Sequence, residues 1–218
     1  MLDNINIYNL FFKSILMTKV VVTGGAGLIG SHVAEFYAKQ GDEVVVLDNL
    51  MRSKLFGYDK DSVEYNWNYL STFQNVRCMK GDVRDKKDVQ GALSKNIDLI
   101  VHTAAQPGVP SSMRNPREDF EINAYGTLNV LDLAHQICPE ATFIYCSTNK
   151  VYGENVDKIP LREEKTRYVY DGIEGVSEEM SVDKTGHTPY GASKLTGDLY
   201  TQEYAENFSK ALEYWEEE

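Results

Sequence analysis

Apolar and polar positions along the chain change period several times, and each change marks an element. Lys19–Thr23 (KVVVT) is a β-branched run ending in glycines, which predicts a buried strand. From Gly27 to Gln40 the period becomes helical: Ile29, Val33, Phe36 and Tyr37 fall at i, i+4, i+7 and i+8 and predict one apolar face. Gly41 supplies a helix stop, and Glu43–Leu47 (EVVVL) reads as the second strand. The alternation continues with a strand at Asn75–Lys80, a helix at Lys86–Ser94 and a strand at Ile97–Val101. A helix over Phe120–Gln136 carries Ile122, Leu128, Leu131 and Leu133 among its apolar positions. A strand at Ala141–Cys146 and a long helix from near Tyr190 to about Phe208 complete the pattern. Strands alternating with helices imply an α/β fold, a doubly wound parallel sheet covered on both faces. Two stretches resist assignment. Asn49–Thr72 is polar and aromatic and reads as loop plus a short helix. Asp157–Thr188 is too long for an ordinary connection, so it reads as functional or disordered.

Composition narrows the partners. With 218 residues, 42% apolar and 25% charged, the chain suffices for a real core and reads as soluble and globular. A net charge of −11 repels phosphate backbones, which argues against nucleic acid but not against a small anion held by backbone N–H groups. Cys78, Cys138 and Cys146 are odd in number and lack C-x-x-C spacing, which reads as a reduced, cytoplasmic compartment with no metal site. Cys146 ends an apolar run, where a thiol acts as a small hydrophobe. His102, just after Leu99–Val101, reads as a packing residue rather than a ligand. No stretch approaches the ~20 apolar residues of a membrane span. Residues 1–16 lack the basic start and cleavage site of a signal peptide and read as an N-terminal extension, the core pattern beginning at Met17.

The first candidate chemistry follows the first strand. Thr23-Gly24-Gly25-Ala26-Gly27-Leu28-Ile29-Gly30 satisfies G-x-G-x-x-G and also G-x-x-G-x-x-G. The early glycines permit a tight turn, Gly27 admits a pyrophosphate close to backbone, and Gly30 lets the helix pack near the sheet. The helix N-terminus then offers unpaired N–H groups and a positive dipole end. Strand, glycines and helix form the Rossmann-type βαβ context that gives the motif its weight. Asp48 ends the second strand, where a carboxylate can hold ribose hydroxyls and repel a 2′-phosphate. NAD is therefore the expected cofactor, with Arg52 nearby keeping NADP open.

The second lies late in the chain. Tyr190-Gly191-Ala192-Ser193-Lys194 places a tyrosine and a lysine at i and i+4 of one helix face. A nearby ammonium favours the tyrosinate, which suits Tyr190 as general base toward a hydroxyl being oxidised. Ser147-Thr148-Asn149-Lys150-Val151-Tyr152-Gly153 follows the strand ending at Cys146, at the end of a parallel strand that faces a ligand crevice. Thr148 reads either as a partner of the same substrate hydroxyl or as a turn cap.

These residues together resemble the extended short-chain dehydrogenase/reductase family. The matching motifs are Thr23–Gly30, Asp48-Asn49, Gly81-Asp82-Val83, His102–Gln106, Asn123 with Gly126-Thr127-Asn129, Ser147–Gly153 and Tyr190–Lys194, in family order. The resemblance implies cofactor contacts from Gly24, Gly27, Leu28, Ile29 and Gly30, from Asp48 and Asn49, and from Asp82 and Val83 at the adenine. It also implies contacts from Ala104, Ala105 and Gln106 beside the nicotinamide, and from Asn123, Ser147, Tyr190 and Lys194. It makes Thr148, Tyr190 and Lys194 the catalytic set and places Gln106, Thr148, Asn149 and Lys150 near substrate. Dehydratases of the family carry an acid pair where this chain has Asn149 and Lys150; an amide is no acid, so dehydration is disfavoured.

Within the family, Thr148–Gly153, Asn115-Pro116 with Asp119–Asn123, and the insert motif at Arg167–Glu178 resemble the CDP-paratose 2-epimerase branch. That implies a nucleotide-sugar substrate, CDP-linked, epimerised by oxidation and reduction at carbon 2. The insert, residues 157–188, becomes a substrate-side loop. A UDP-glucose 4-epimerase-like enzyme and a non-catalytic NAD-binding module are the alternatives. The resemblance also implies a homodimer or tetramer. It implies further strands and a substrate lobe after the last helix, so the domain is expected over 17–208. Residues 209–218 are then an acidic tail unlike the family, and turnover by a truncated chain is expected to be poor.

Overall fold

The computed structural model describes residues 17–52 and 60–208. The expectations for residues 1–16 and 209–218 fall outside them. The short β-branched runs form five strands: β1 (Lys19–Thr23), β2 (Glu43–Asp48), β3 (Val76–Lys80), β4 (Leu99–His102) and β5 (Thr142–Tyr145). They pair in parallel in the order β3-β2-β1-β4-β5. Val20 sits opposite Val44 on one side and Leu99 on the other. The order reverses beside β1, so the carboxyl ends of β1 and β4 diverge into a crevice.

Both faces of the sheet are covered, which is why the central strands read as unbroken apolar runs. Val20, Val22, Val44 and Val46 pack against α1 (Leu28–Lys39) and Leu70 of α2 (Lys60–Leu70). Val21, Leu47 and Ile100 point the other way, toward Val89 of α3 (Lys86–Ala92) and Val130 and Leu133 of α6 (Gly126–Ile137). Each fully buried valine contributes roughly 1.5–3 kcal/mol. β5 is an edge among the described strands, and its Ile144 is 45% exposed.

Three expectations are corrected. In α1 the apolar positions Ile29 and Phe36 are 59% and 61% exposed, while Gly30, Ser31, Ala34 and Ala38 are buried. The helix lies so close to the glycine turn that only small side chains fit beneath it; Val33 and Tyr37 pack at the rim. The helix expected from Phe120 starts earlier and is broken. α4 (Val109–Arg114) leads into α5 (Pro116–Phe120), then a π turn over Glu121–Tyr125, then α6. Asn115 starts α5 by accepting Glu118 N–H, with Pro116 at the first position. The unassigned 49–72 region holds α2, a full helix rather than a short one, secured by buried Leu70 and by Asn66 donating to Ala26 O at 3.1 Å.

The 157–188 stretch is largely exposed turns around a small antiparallel hairpin, β6 (Leu161–Glu163) with β7 (Tyr168–Tyr170). Its far end closes on the kinked 3-10 segment Asn149–Lys158 at Gly153 (φ +57). A Cβ there would meet Gly186 O at 2.7 Å, so this junction requires glycine. The last helix, α7 (Pro189–Phe208), begins as expected beside Tyr190.

Candidate active site

The glycine turn is held from below. Gly24 (φ +68) donates to Leu47 O at 2.7 Å and accepts from Gly27 N at 3.0 Å. A Cβ on Gly24 would lie 2.6 Å from Ala104 N, and one on Gly30 would lie 2.7 Å from Thr103 Oγ1. The backbones of the β1 and β4 loops thus touch with nothing between them. Gly27 is the extended N-cap of α1 and carries no side chain to cap it, which leaves first-turn N–H groups for an anion.

Above this turn runs a cavity of ≈ 380 Å³, within the range of small-molecule and cofactor pockets. Gly24, Gly27, Leu28, Ile29 and Gly30 form its floor. Asp48, Asn49 and Val83 wall it on the β2 side; Ala104 and Ala105 follow β4, and Ser147 follows β5. Tyr190 and Lys194 come from the first turns of α7. The glycine turn and the first turn of α1, with its uncapped N–H groups, therefore border this cavity, where an anionic group can be held.

Asp48 is set by its own loop, Oδ2 accepting Ala26 N–H at 3.0 Å and Oδ1 accepting Leu50 N–H at 2.8 Å. Burial raises its pKa, against the two N–H bonds. Asp82 does not wall the cavity. It turns to Arg84, which grips it through Nε at 2.9 Å and Nη2 at 2.7 Å, and to Asn49 Nδ2 at 2.9 Å. Burial pushes its carboxyl up, but these donors outweigh that and hold it at about 2. Of the expected adenine pair, only Val83 meets the cavity.

At the other side Lys194 is 3% exposed. Its Nζ donates to Cys146 O at 2.7 Å and lies 4.1 Å from the Tyr145 ring centroid. Burial lowers its pKa to about 8, opposed by Cys146, Asp198 and Asp119. Cys146 is only half-buried, lines the cavity and contributes its carbonyl, more than the packing expected of it. Buried Tyr190 lines the cavity, and its hydroxyl has no hydrogen bond among the described residues. Ser147 Oγ donates to Asp198, four residues beyond Lys194.

Five further expected residues lie outside the cavity wall. Gln106 is buried with its amide fully used: Nε2 donates to Gly108 O and Asp119 Oδ1, and Oε1 accepts Gly108 N–H. Asn123 is buried in the π turn, bonded to both backbone groups of Gln106. Asn149 and Lys150 are exposed in the first turn of the 3-10 segment. Thr148 caps that turn, accepting Lys150 N–H at 3.4 Å, and does not wall the cavity. Sequence reading missed Asp119, Ser193 and Asp198; the helical spacing of Asp119 to Asn123 and the place of Ser193 between Tyr190 and Lys194 were the available signals.

Behind the site His102 is fully buried, its Nδ1 2.7 Å from Thr23 Oγ1 and its Nε2 3.0 Å from Thr127 Oγ1, with the ring stacked on Tyr145. Burial, then Lys194, lowers it from 6.5 to about 3, so the imidazole stays neutral. The unfolded chain binds that proton first, so stability is full above about pH 6.5 and falls as pH drops toward 3. The loss should be on the order of 3–5 kcal/mol. Denaturant unfolding across this window should show it, and His102→Gln should flatten the slope. An unchanged slope in that variant would remove His102 from the account.

Comparison with known proteins accords with this geometry. The NAD dependent epimerase/dehydratase family matches residues 20–213. CDP-paratose 2-epimerase of Salmonella typhi is 38% identical over 192 residues, 87% of this chain and 54% of that protein. A putative UDP-glucose 4-epimerase of Methanocaldococcus jannaschii is 30% identical over 85% of this chain and 50% of its own length. The structure of Thermus thermophilus UDP-glucose 4-epimerase in complex with NAD superposes with a TM-score of 0.64 at 29% identity, covering 88% of this chain and 52% of that one. The chain spans about half the length of the curated relatives it matches. With glycine turn, acidic strand end and tyrosine–lysine helix gathered on one crevice of a parallel sheet, the chain belongs to the NAD dependent epimerase/dehydratase family.

Proposed function

We propose that the cavity binds NAD and that the protein belongs to an enzyme that epimerises a nucleotide sugar by transient oxidation. The observation that carries this reading is the sharing of one cavity by the glycine cradle, Asp48, Tyr190 and Lys194. First-turn N–H groups of α1 hold the pyrophosphate. Asp48 holds the adenosine ribose and repels a 2′-phosphate, which selects NAD over NADP. NAD, when bound, would supply the hydride acceptor for oxidation and the hydride donor for reduction of the sugar.

This chain's residues handle the proton. The Tyr190 oxygen takes it from the sugar hydroxyl as the C–H bond breaks and gives it back on reduction. Lys194, one helical turn from Tyr190 and lining the same cavity, is the residue that would hold the nicotinamide ribose. Thr148 is the candidate second partner of the hydroxyl, with its own proton free to donate. Asn149 and Lys150 leave no acid pair for eliminating water. A CDP-linked sugar is the favoured substrate on the likeness to CDP-paratose 2-epimerase. A UDP-linked sugar is the second reading, supported by the 30%-identical UDP-glucose 4-epimerase relative.

Thermal melting with and without excess NAD, with NADP as comparison, tests the cofactor. A hundredfold excess over Kd should add about 2.7 kcal/mol of stability. A shift with NAD alone supports the assignment, and no shift with either dinucleotide overturns it. Turnover of CDP- against UDP-linked sugars then separates the substrates. A NAD shift without turnover of either supports cofactor binding by these residues and not catalysis by them alone.

A further inference from the structure

We infer that Asp119 is a positioning residue: its buried carboxylate ties α7, through Ser193, to the loop after β4, and so sets Tyr190 and Lys194 against the cavity. This rests on the catalytic reading of Tyr190 and Lys194.

Asp119 is 1% exposed and does not touch the cavity. Three groups from three segments converge on it: Gln106 Nε2 at 2.8 Å, Asn123 Nδ2 at 3.2 Å and Ser193 Oγ at 2.5 Å. All three donate, which is the arrangement an ionised carboxylate requires. Each partner is itself held. Gln106 N–H meets Asn123 Oδ1 at 2.8 Å, and the two Asn123 Nδ2 protons are shared among Asp119, Gln106 O at 3.1 Å and Ser193 Oγ at 3.1 Å. The serine has one proton and two acceptors, Asp119 at 2.5 Å and Tyr190 O at 3.0 Å. Donation to Asp119 makes the tether, and donation to Tyr190 O would release it.

Ser193 precedes Lys194 and follows Tyr190 by three residues, so fixing its Oγ fixes the rotation of the turn that carries both. Gln106 directly follows Ala104 and Ala105, which wall the cavity. The network therefore sets the distance between two walls of the site. A buried carboxylate costs desolvation that an apolar residue would not, so it is a poor device for stability alone. What a satisfied polar network adds is a unique geometry.

The test compares wild type with Asp119→Asn and Ser193→Ala in the full chain. The amide keeps the shape but turns N–H groups toward donors; the alanine keeps the charge and removes the tether. The first readout is the Lys194 side-chain NMR signal, identified by its loss in Lys194→Arg and followed through pH. The groups facing that ammonium are Asp119 on α5, Tyr145 and Cys146 at and just past the end of β5, neutral His102 on β4, and Asp198 on α7. Asp119→Asn should lower the Lys194 titration midpoint, because one negative neighbour is lost. Ser193→Ala should move its resonance with the midpoint less affected. The second readout is turnover, expected to fall roughly 10–100-fold in kcat with sugar KM nearly unchanged. A Lys194 signal unmoved in both variants overturns the inference, even where melting temperature drops. The NMR readout needs neither cofactor nor turnover, so failure of the epimerase reading is seen separately. Should Asp119→Asn not fold, Ser193→Ala decides by the same signal.

Discussion

Gly24→Ala should eliminate measurable NAD binding and destabilise the fold by roughly 3–5 kcal/mol. Two costs add. The residue sits at φ +68, where a Cβ is strained in any surroundings. That Cβ would also lie 2.6 Å from Ala104 N, 2.7 Å from Ala104 Cα and 2.8 Å from Thr103 C. These are backbone atoms of the β4 loop, which cannot rotate away as a side chain does. Relief requires the β1 and β4 ends to part, and that opens the floor of the cavity. Gly41 provides the internal control. Its φ of +91 is as unusual, yet nothing lies within 4 Å of its Cβ position. Gly41→Ala should therefore cost only about 1 kcal/mol and leave the cofactor site intact. Denaturant unfolding and calorimetric NAD titration of both variants check this. Equal losses in the two, or wild-type NAD affinity in Gly24→Ala, would show that close approach at the turn is not what the site depends on.

Tyr190→Phe should lower sugar turnover by roughly 10²–10⁴-fold while NAD binding and the melt stay close to wild type. The change removes one oxygen from a ring that is already buried. That oxygen has no hydrogen-bond partner among the described residues, so its removal leaves no protein group unsatisfied. The effect should fall on kcat, because the proton is transferred only as the C–H bond breaks. Lys194 is less clean to replace, since its Nζ also holds Cys146 O. Its ammonium titrates at about 8, so turnover should decline as pH rises through that value. A phenylalanine variant retaining more than about a tenth of wild-type turnover would take the proton from Tyr190 and give it to another group.

What the amino-acid sequence determined by itself is what depends on neighbours along the chain. The β-branched runs at Lys19–Thr23 and Glu43–Asp48 are legible because both faces of a central parallel strand are buried, which leaves an apolar run with glycine or polar bounds. The glycine turn is legible because its conformations are local. Tyr190 and Lys194 share a face because four residues make one helical turn. From these follow the fold class, the family and the cradle.

Tertiary structure decided whatever depends on which surface meets which. Ile29 and Phe36 of α1 are exposed and its small residues buried, because the glycine turn sets the helix so near the sheet that size outranks hydropathy. Gln106 and Asn123, polar residues beside the site, turn inward instead of into the cavity, because Asp119 sits behind them as a buried charge that must be satisfied. Thr148 accepts a backbone N–H of its own turn, and Asp82 turns to Arg84. Ser193 meets Asp119 across 74 residues of sequence. No local pattern encodes that pairing; only the packing of α7 against α5 brings the two together, where burial makes a lone polar group costly and a complete network specific.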